Sequence, residues 1–356
     1  MKILHWANEL GLGGTPKTLE QFAIYLKKFG HDCHVVCYRD GDLSRAKNLN
    51  IAGVPITTIS RDGRVSEFQD IMQWGPDIVH SYRSGYPEFP EPGEHFELNG
   101  AKFVETNVFG HCDGNPYIDK TLYMSEYLQF FAQKYSKRYD FINNPIPKPS
   151  NDYMQYDQFK DGKINIGRTG RPENGIYDPI SLDAINYLFS IRPDLRDRVR
   201  FLALAPPPNM IKDLEKYKID YHIISPTVDN EEIFRFYNSI HICAHARLDG
   251  ETCGNSIQEA MMHGVAVVTH ISEPGVPDIC PFQAQCFLVE NGFTGYVSDH
   301  CYKAYAYALM ELIDNPSTRK KLGNAGREKA LREFETGICV TKLEKIYMEI
   351  LSGGTK

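Results

Sequence analysis

Apolar positions along this chain follow two periods, and their alternation sets out its elements. Met1 to Trp6 is an apolar run of strand length. Leu19, Phe22, Ala23 and Leu26 then recur at helical spacing up to Gly30, which predicts a helix. Thr15 is its expected cap and Pro16 its first helical residue. Cys33 to Tyr38 is a second strand, so the chain opens as a βαβ unit. Further strands are predicted at Asp77 to Ser81, Lys102 to Thr106 and, as the last of this half, Lys120 to Met124. Ser125 caps a helix through Tyr135. The proline-rich stretch 141–149 breaks any regular element and marks a domain boundary.

The second half repeats the scheme. Strands are predicted at Lys163 to Gly167, Val199 to Leu204, Tyr221 to Ile224, Ile240 to Ala244 and Val265 to Val268. Such short apolar runs, bounded by turns, suit buried parallel strands. Helices are expected at His300 to Asp314, Thr318 to Phe334 and Gly337 to Leu351. In the last, Leu343, Ile346, Tyr347, Ile350 and Leu351 form an apolar stripe. The fold class is therefore α/β with two Rossmann-like domains, 1–146 and 147–335.

Composition narrows the function. A chain of 356 residues suits two domains. Its net charge of -7 argues against nucleic acid as a partner. No run approaches the length of a membrane span, and Ile3-Leu4 is too short for a signal peptide, so a cytoplasmic protein is expected. The basic run Arg319 to Arg332 reads first as a solvated helix face, and second as peripheral contact with the inner face of a membrane. Nine scattered cysteines without a C-x-x-C pair read as reduced thiols. No metal site is expected. His31, Cys33, His34 and Cys37 alternate faces of a strand, and Asp40-Gly41-Asp42 reads as a turn.

The chemistry concentrates in Gly250-Glu251-Thr252-Cys253-Gly254-Asn255-Ser256-Ile257-Gln258-Glu259. Gly254 and Asn255 are turn residues, Ser256 is the expected N-cap, and Gly264 ends the helix. A helix start offers unpaired amides and a positive dipole end to a phosphate. Glu251 and Glu259 flank that start, and carboxylates accept well from paired sugar hydroxyls. The arrangement suits a nucleotide-sugar. Ser256-x-x-Glu259 also fits a capping box, which would give Glu259 a purely local duty.

Glu251-x7-Glu259, with Gly254 between and Glu-Ala-Met before Gly-Val-Ala-Val-Val, resembles the signature of family 4 retaining glycosyltransferases. The resemblance implies a GT-B fold, in which two Rossmann-like domains face a central cleft and the last helix, about 336–356, returns to the first domain. It implies metal-independent transfer of a sugar, with retention, from a nucleotide-sugar to a hydroxyl acceptor in glycan or glycoconjugate synthesis. The donor would carry UDP or GDP, with no further cofactor. The acceptor would be a sugar, a lipid-linked sugar or another hydroxyl compound. Glu251 would orient the donor sugar and Glu259 the ribose, with the amides of Gly254, Asn255, Ser256 and Ile257 on the diphosphate. Gly13 and Gly14 would approach the donor phosphates. Arg168 matches the family arginine that stabilises the leaving diphosphate. Asn174, Gly175 and Ile176 stand where a lysine usually follows, and Arg171 is the candidate second charge. His111 is the candidate for the family histidine at the donor sugar, or else an ordinary loop histidine.

Three other readings stay open. A dinucleotide site at Gly11 to Lys17 lacks the third glycine of its motif. A non-catalytic nucleotide-sugar-binding protein accords with the missing lysine. A GT-B epimerase would act on the nucleotide-sugar itself.

Overall fold

A computed structural model describes residues 1–83, 89–110, 114–132, 139–149, 155–272 and 283–353. The chain divides into two compact units, Met1–Pro147 with Thr336–Lys356, and Lys148–Glu335.

The first unit is a seven-stranded parallel sheet ordered β3-β2-β1-β4-β5-β6-β7. Its strands are β1 (Lys2–Ala7), β2 (Asp32–Tyr38), β3 (Ile56–Ile59), β4 (Ile78–Arg83), β5 (Lys102–Asn107), β6 (Ile118–Tyr123) and β7 (Tyr139–Phe141). The helices are α1 (Gly14–Lys28), α2 (Ala46–Ile51), α3 (Arg64–Met72) and α4 (Glu126–Ala132). The core forms because the apolar strand residues are covered by helices: Leu4, Val36, Val79 and Phe103 pack with Trp6, Phe68 and Phe96. The Trp6 and Phe68 rings lie 4.6 Å apart, and those of Phe68 and Phe96 4.5 Å.

The second unit is a six-stranded parallel sheet ordered β10-β9-β8-β11-β12-β13. Its strands are β8 (Ile164–Thr169), β9 (Val199–Leu204), β10 (Tyr221–Ile224), β11 (Ile242–Ala244), β12 (Ala266–His270) and β13 (Gly295–Ser298). The connecting helices are α5 (Ile180–Ile191), α6 (Leu195–Arg198), α7 (Pro208–Lys216), α8 (Asn230–Ser239), α9 (Asn255–Met262), α10 (Ala284–Leu288), α11 (Tyr302–Asp314) and α12 (Pro316–Glu333). All five residues of β12 are buried, as expected of a strand covered on both faces. The last helix, α13 (Thr336–Leu351), belongs to the first unit and packs on α1.

Both sheets reverse their strand order once, between β1 and β4 in the first and between β8 and β11 in the second. Parallel α/β sheets bind ligands at the carboxyl ends of the strands flanking such a switch.

Several sequence expectations shift. The α1 N-cap is Gly13, which puts Thr15 second and Pro16 third in the helix. The edge strand β7 follows β6, so Lys120 to Met124 does not close the sheet. The pattern also gave no sign of α2, β3 and α3, whose apolar faces are short. Asp40-Gly41-Asp42 does form a turn. Asp40 pairs with Arg61 at 2.8 Å, and Asp42 accepts from the Ser44 amide at 2.8 Å. Of the carboxylates in the stretch 85–100, Glu91 is buried, accepting from Asn115 Nδ2 at 2.8 Å, Glu94 is exposed, and Glu88 lies outside the described residues.

Two histidines lie fully buried on neighbouring central strands. Burial lowers the His5 pKa to about 3, and burial with His5 nearby puts His80 well below its usual value. Both are therefore neutral in the fold, while an unfolded chain protonates them near pH 6.5. Their contribution is complete above that pH and declines as pH falls toward 3, by at most about 1.4 kcal/mol per pH unit for each. Urea unfolding at pH 7 and pH 5 should show this loss, and His5→Asn should flatten it. An unchanged slope in that variant would assign the acid lability to other groups.

Candidate functional site

At the switch point of the second sheet, the end of β8 supplies Arg168 and the loop after β11 supplies His245 to Glu251. The two segments are stitched together: the Leu248 amide donates to Ile176 O at 3.3 Å, and Tyr177 bridges Arg247. Arg168 is 5% exposed and donates through Nη2 and Nε to Ala246 O at 3.2 and 3.3 Å, spanning the switch. Its guanidinium lies 5.8 Å from the Tyr177 ring centre. Burial lowers its pKa, against the nearby Tyr177, Tyr305 and Glu251.

Glu251 lies within this cluster. Its Oε1 is 3.0 Å from His245 Nε2, and its Oε2 is 3.7 Å from Arg247 Nη1. Burial pushes the Glu251 pKa up, but Arg247, the His245 hydrogen bond and Arg168 together hold it down, at about 2. Glu251 is thus ionised, and His245 Nε2 donates to it. His245 Nδ1 lies 2.8 Å from Thr269 Oγ1, which fixes the ring. Arg247 grips Asp249 through two bonds of 2.6 and 2.9 Å, and it loses to burial less than it gains from Glu251 and Asp249, so its pKa is raised. The Glu251 amide donates to Gln285 Oε1 at 3.0 Å.

The chain then turns into α9 through Gly254, its N-cap, at φ 74. That left-handed conformation suits glycine, and a Cβ here would come within 2.7 Å of Leu288 Cδ1. This corrects the cap expectation. Ser256 is the second helical residue, and Glu259 the fifth, so the pair is not a capping box. The glycine N-cap offers no side-chain acceptor to the first-turn amides. Glu259 is buried, its Oε2 2.8 Å from the Tyr237 hydroxyl, which also lies 3.1 Å from Ser256 O. Ile257 is fully buried in side chain, and its amide donates to Gly254 O at 3.0 Å, so neither is open to a ligand.

Of the remaining expected residues, Arg171 is exposed and paired at 3.3 Å with Glu173, whose charge also helps raise the Arg247 pKa. The second guanidinium of the cluster is Arg247, its side chain 21% exposed, whose place four residues before Glu251 carried no recognised motif. His111 lies outside the described residues. In the first unit, Gly13 caps α1 without a side-chain bond, and Gly14 begins it. The preceding loop is held by Arg45, whose Nε donates to Gly11 O at 2.8 Å and whose Nη1 donates to the buried Glu20 at 2.7 Å.

Residues 207–329 match the family model described as "Glycosyl transferases group 1". A comparison with curated proteins by sequence found no match. Among solved structures, a glycosyltransferase from Rickettsia africae is similar at TM-score 0.75 and 16% identity, over 98% of each chain. HepE of Anabaena, solved with UDP and glucose, is similar at TM-score 0.76 and 14% identity, over 98% of this chain and 100% of that one. WaaG, a glycosyltransferase involved in lipopolysaccharide biosynthesis, is similar at TM-score 0.66 and 14% identity, over 99% and 100%. The fold is GT-B. No helix among the described residues is long and apolar enough to cross a membrane.

Gly254→Ala should cost about 1–3 kcal/mol for the backbone conformation alone, with a further penalty against Leu288. Urea unfolding checks this. Adding Leu288→Ala should relieve the contact and leave the backbone loss in place.

Proposed function

We propose that this chain is a retaining glycosyltransferase that moves a sugar from a UDP- or GDP-sugar to an acceptor hydroxyl in glycan or glycoconjugate synthesis. The observation that carries the reading is the largely buried Arg168–Arg247–Glu251 cluster beside the N-terminus of α9, at a sheet switch point, with Arg247, Glu251 and α9 inside the matched segment. HepE, solved with UDP and glucose, favours a uridine donor. We assign the donor to the second unit and the acceptor to the first, where Gly13 and Gly14 remain the candidates for ligand contact.

In this reading the amides of Gly254 to Ser256 and the guanidiniums of Arg168 and Arg247 meet the diphosphate. As the glycosidic bond to phosphate breaks, negative charge grows on the leaving oxygen. Positive groups already fixed in place stabilise that charge without reorganising. Glu251, ionised and anchored by His245, accepts from donor-sugar hydroxyls and sets the sugar's orientation. Glu259 accepts from the ribose. No metal is assigned to the transfer step. The acceptor is a sugar, a lipid-linked sugar or another hydroxyl compound, met in the cytoplasm or at the inner face of a membrane.

Arg168→Ala and Arg247→Ala should each lower kcat by on the order of 10²–10³, with smaller changes in donor affinity. Arg171→Ala should turn over like the wild type. Steady-state assays with UDP- and GDP-sugars decide this, and full activity of both Arg168→Ala and Arg247→Ala would sink the assignment. Product formed from donor alone would indicate an epimerase.

Glu259→Ala should weaken nucleotide binding, measured by calorimetry, by on the order of tenfold, the value of one charged hydrogen bond. Unchanged affinity in a folded variant would confine Glu259 to its contact with Tyr237.

A further inference from the structure

The carboxyl edge of the second sheet holds a second cluster that the transfer reading does not use. Asp178 precedes α5, His270 ends β12, and His300 lies in the turn between β13 and α11. Their ligand atoms all lie within 4.8 Å of one another. His300 Nε2 is 2.7 Å from Asp178 Oδ2, and His270 Nε2 is 3.7 Å from the same oxygen. Asp178 and His270 are buried, and the His300 side chain is 23% exposed.

The tautomer of His270 is set twice over. Its Nδ1 lies 2.9 Å from Ile271 O, and a carbonyl only accepts, so Nδ1 carries the proton. Its Nε2 lies 3.3 Å from the Arg247 amide, which only donates, so Nε2 presents a lone pair. The same nitrogen lies 3.7 Å from Asp178 Oδ2, which is also an acceptor. Two acceptors this close in a buried site repel unless a positive group joins them. A ring whose other nitrogen donates to a backbone carbonyl is also the usual support of a metal-bound histidine. Asp178 has matching support, because its Oδ1 accepts from the Ile180 amide at 3.0 Å.

We propose that Asp178, His270 and His300 bind a divalent transition-metal ion, zinc by the chemistry of the donor set. Two imidazoles and one carboxylate are a zinc set, and three protein ligands leave a coordination position for water. Ligands at about 2.1 Å in tetrahedral geometry stand about 3.4 Å apart, between the 2.7 and 3.7 Å separations seen here. The ion takes the place of the proton between His300 and Asp178 and displaces the long bond from the Arg247 amide. It braces the ends of three segments beside the Glu251 cluster and takes no part in bond-making. The partly exposed His300 provides the entry path. This departs from the expectation that the chain holds no metal. The three ligands come from widely separated positions and have no motif spacing.

The test measures metal, not turnover, so its outcome is independent of the transfer reading. The full chain, stripped with a chelator, is titrated with zinc against a chromophoric indicator, and with cobalt for its visible spectrum. The expected result is one ion per chain and a cobalt spectrum with d–d bands but no thiolate charge transfer. Cys301→Ser should leave both unchanged. His300→Ala, at a partly exposed position, and Asp178→Asn should weaken binding by at least on the order of 10–100-fold, the loss seen even for outer-shell partners. Zinc should raise the melting temperature of the wild type and not that of His300→Ala. Failure of the wild type to bind zinc stoichiometrically would overturn the proposal. So would full binding by folded His300→Ala, or a thiolate band that disappears in Cys301→Ser.

Discussion

A carboxylate buried at the end of a parallel sheet must be kept ionised by its neighbours, and the edge around Glu251 is organised by that requirement. Arg247, His245 and Arg168 all act on Glu251, and each is itself held by a further partner: Asp249, Thr269 and Ala246 O. Two guanidiniums face two carboxylates, so their charges balance. Buried ion pairs are weak sources of stability, because desolvation offsets much of their attraction. Apolar residues could close this edge at less cost. The more economical physical account is that fixed charges stand ready for a polar ligand.

The first unit solves a related problem with the same means. Glycine-rich loops have little preference for a single shape, since glycine loses more freedom on folding than any other residue. Gly11 to Gly14 is fixed from outside. Arg45 reaches its backbone while bound to Glu20, and both are almost fully buried. The neighbouring turn packs closely, for a Cβ at Gly41 would stand 3.0 Å from Asn8 O. The loop owes its geometry to a buried ion pair and a tight backbone approach, and neither is visible as local propensity.

That contrast explains what could be read from the chain. The strand Val199–Leu204 was legible to the residue because its apolar run, broken only by Arg200, has few alternatives in an α/β protein. The two-sheet architecture followed from the number and spacing of such runs. The β3 strand (Ile56–Ile59) was not legible, since most of its residues are only half-buried and its pattern is weak. Glu251 was found from its motif, whereas His245 and Arg247 were not. Their roles come from where the loop after β11 folds back, a tertiary fact. The Ser256 cap failed for a local reason. Gly254 adopts the left-handed turn that starts α9, two residues earlier than a polar cap would have done.

Departures from local preference gather on the same edge of the second sheet. Gly254 has φ 74, and Ala205, at the end of β9, has φ 53 although it is not glycine. Pro206 follows Ala205, and the residue before a proline favours extended backbone. A left-handed alanine there carries strain of order 1–3 kcal/mol. It persists because the Ala205 amide donates to Ile224 O at 2.9 Å and the residue is buried. The chain therefore keeps a glycine-like backbone without the glycine, and pays for it by tertiary contacts. Strain held in place at strand ends, beside a charged cluster and a helix start, is what a preorganised binding edge requires. A sheet that served only to pack would relax it.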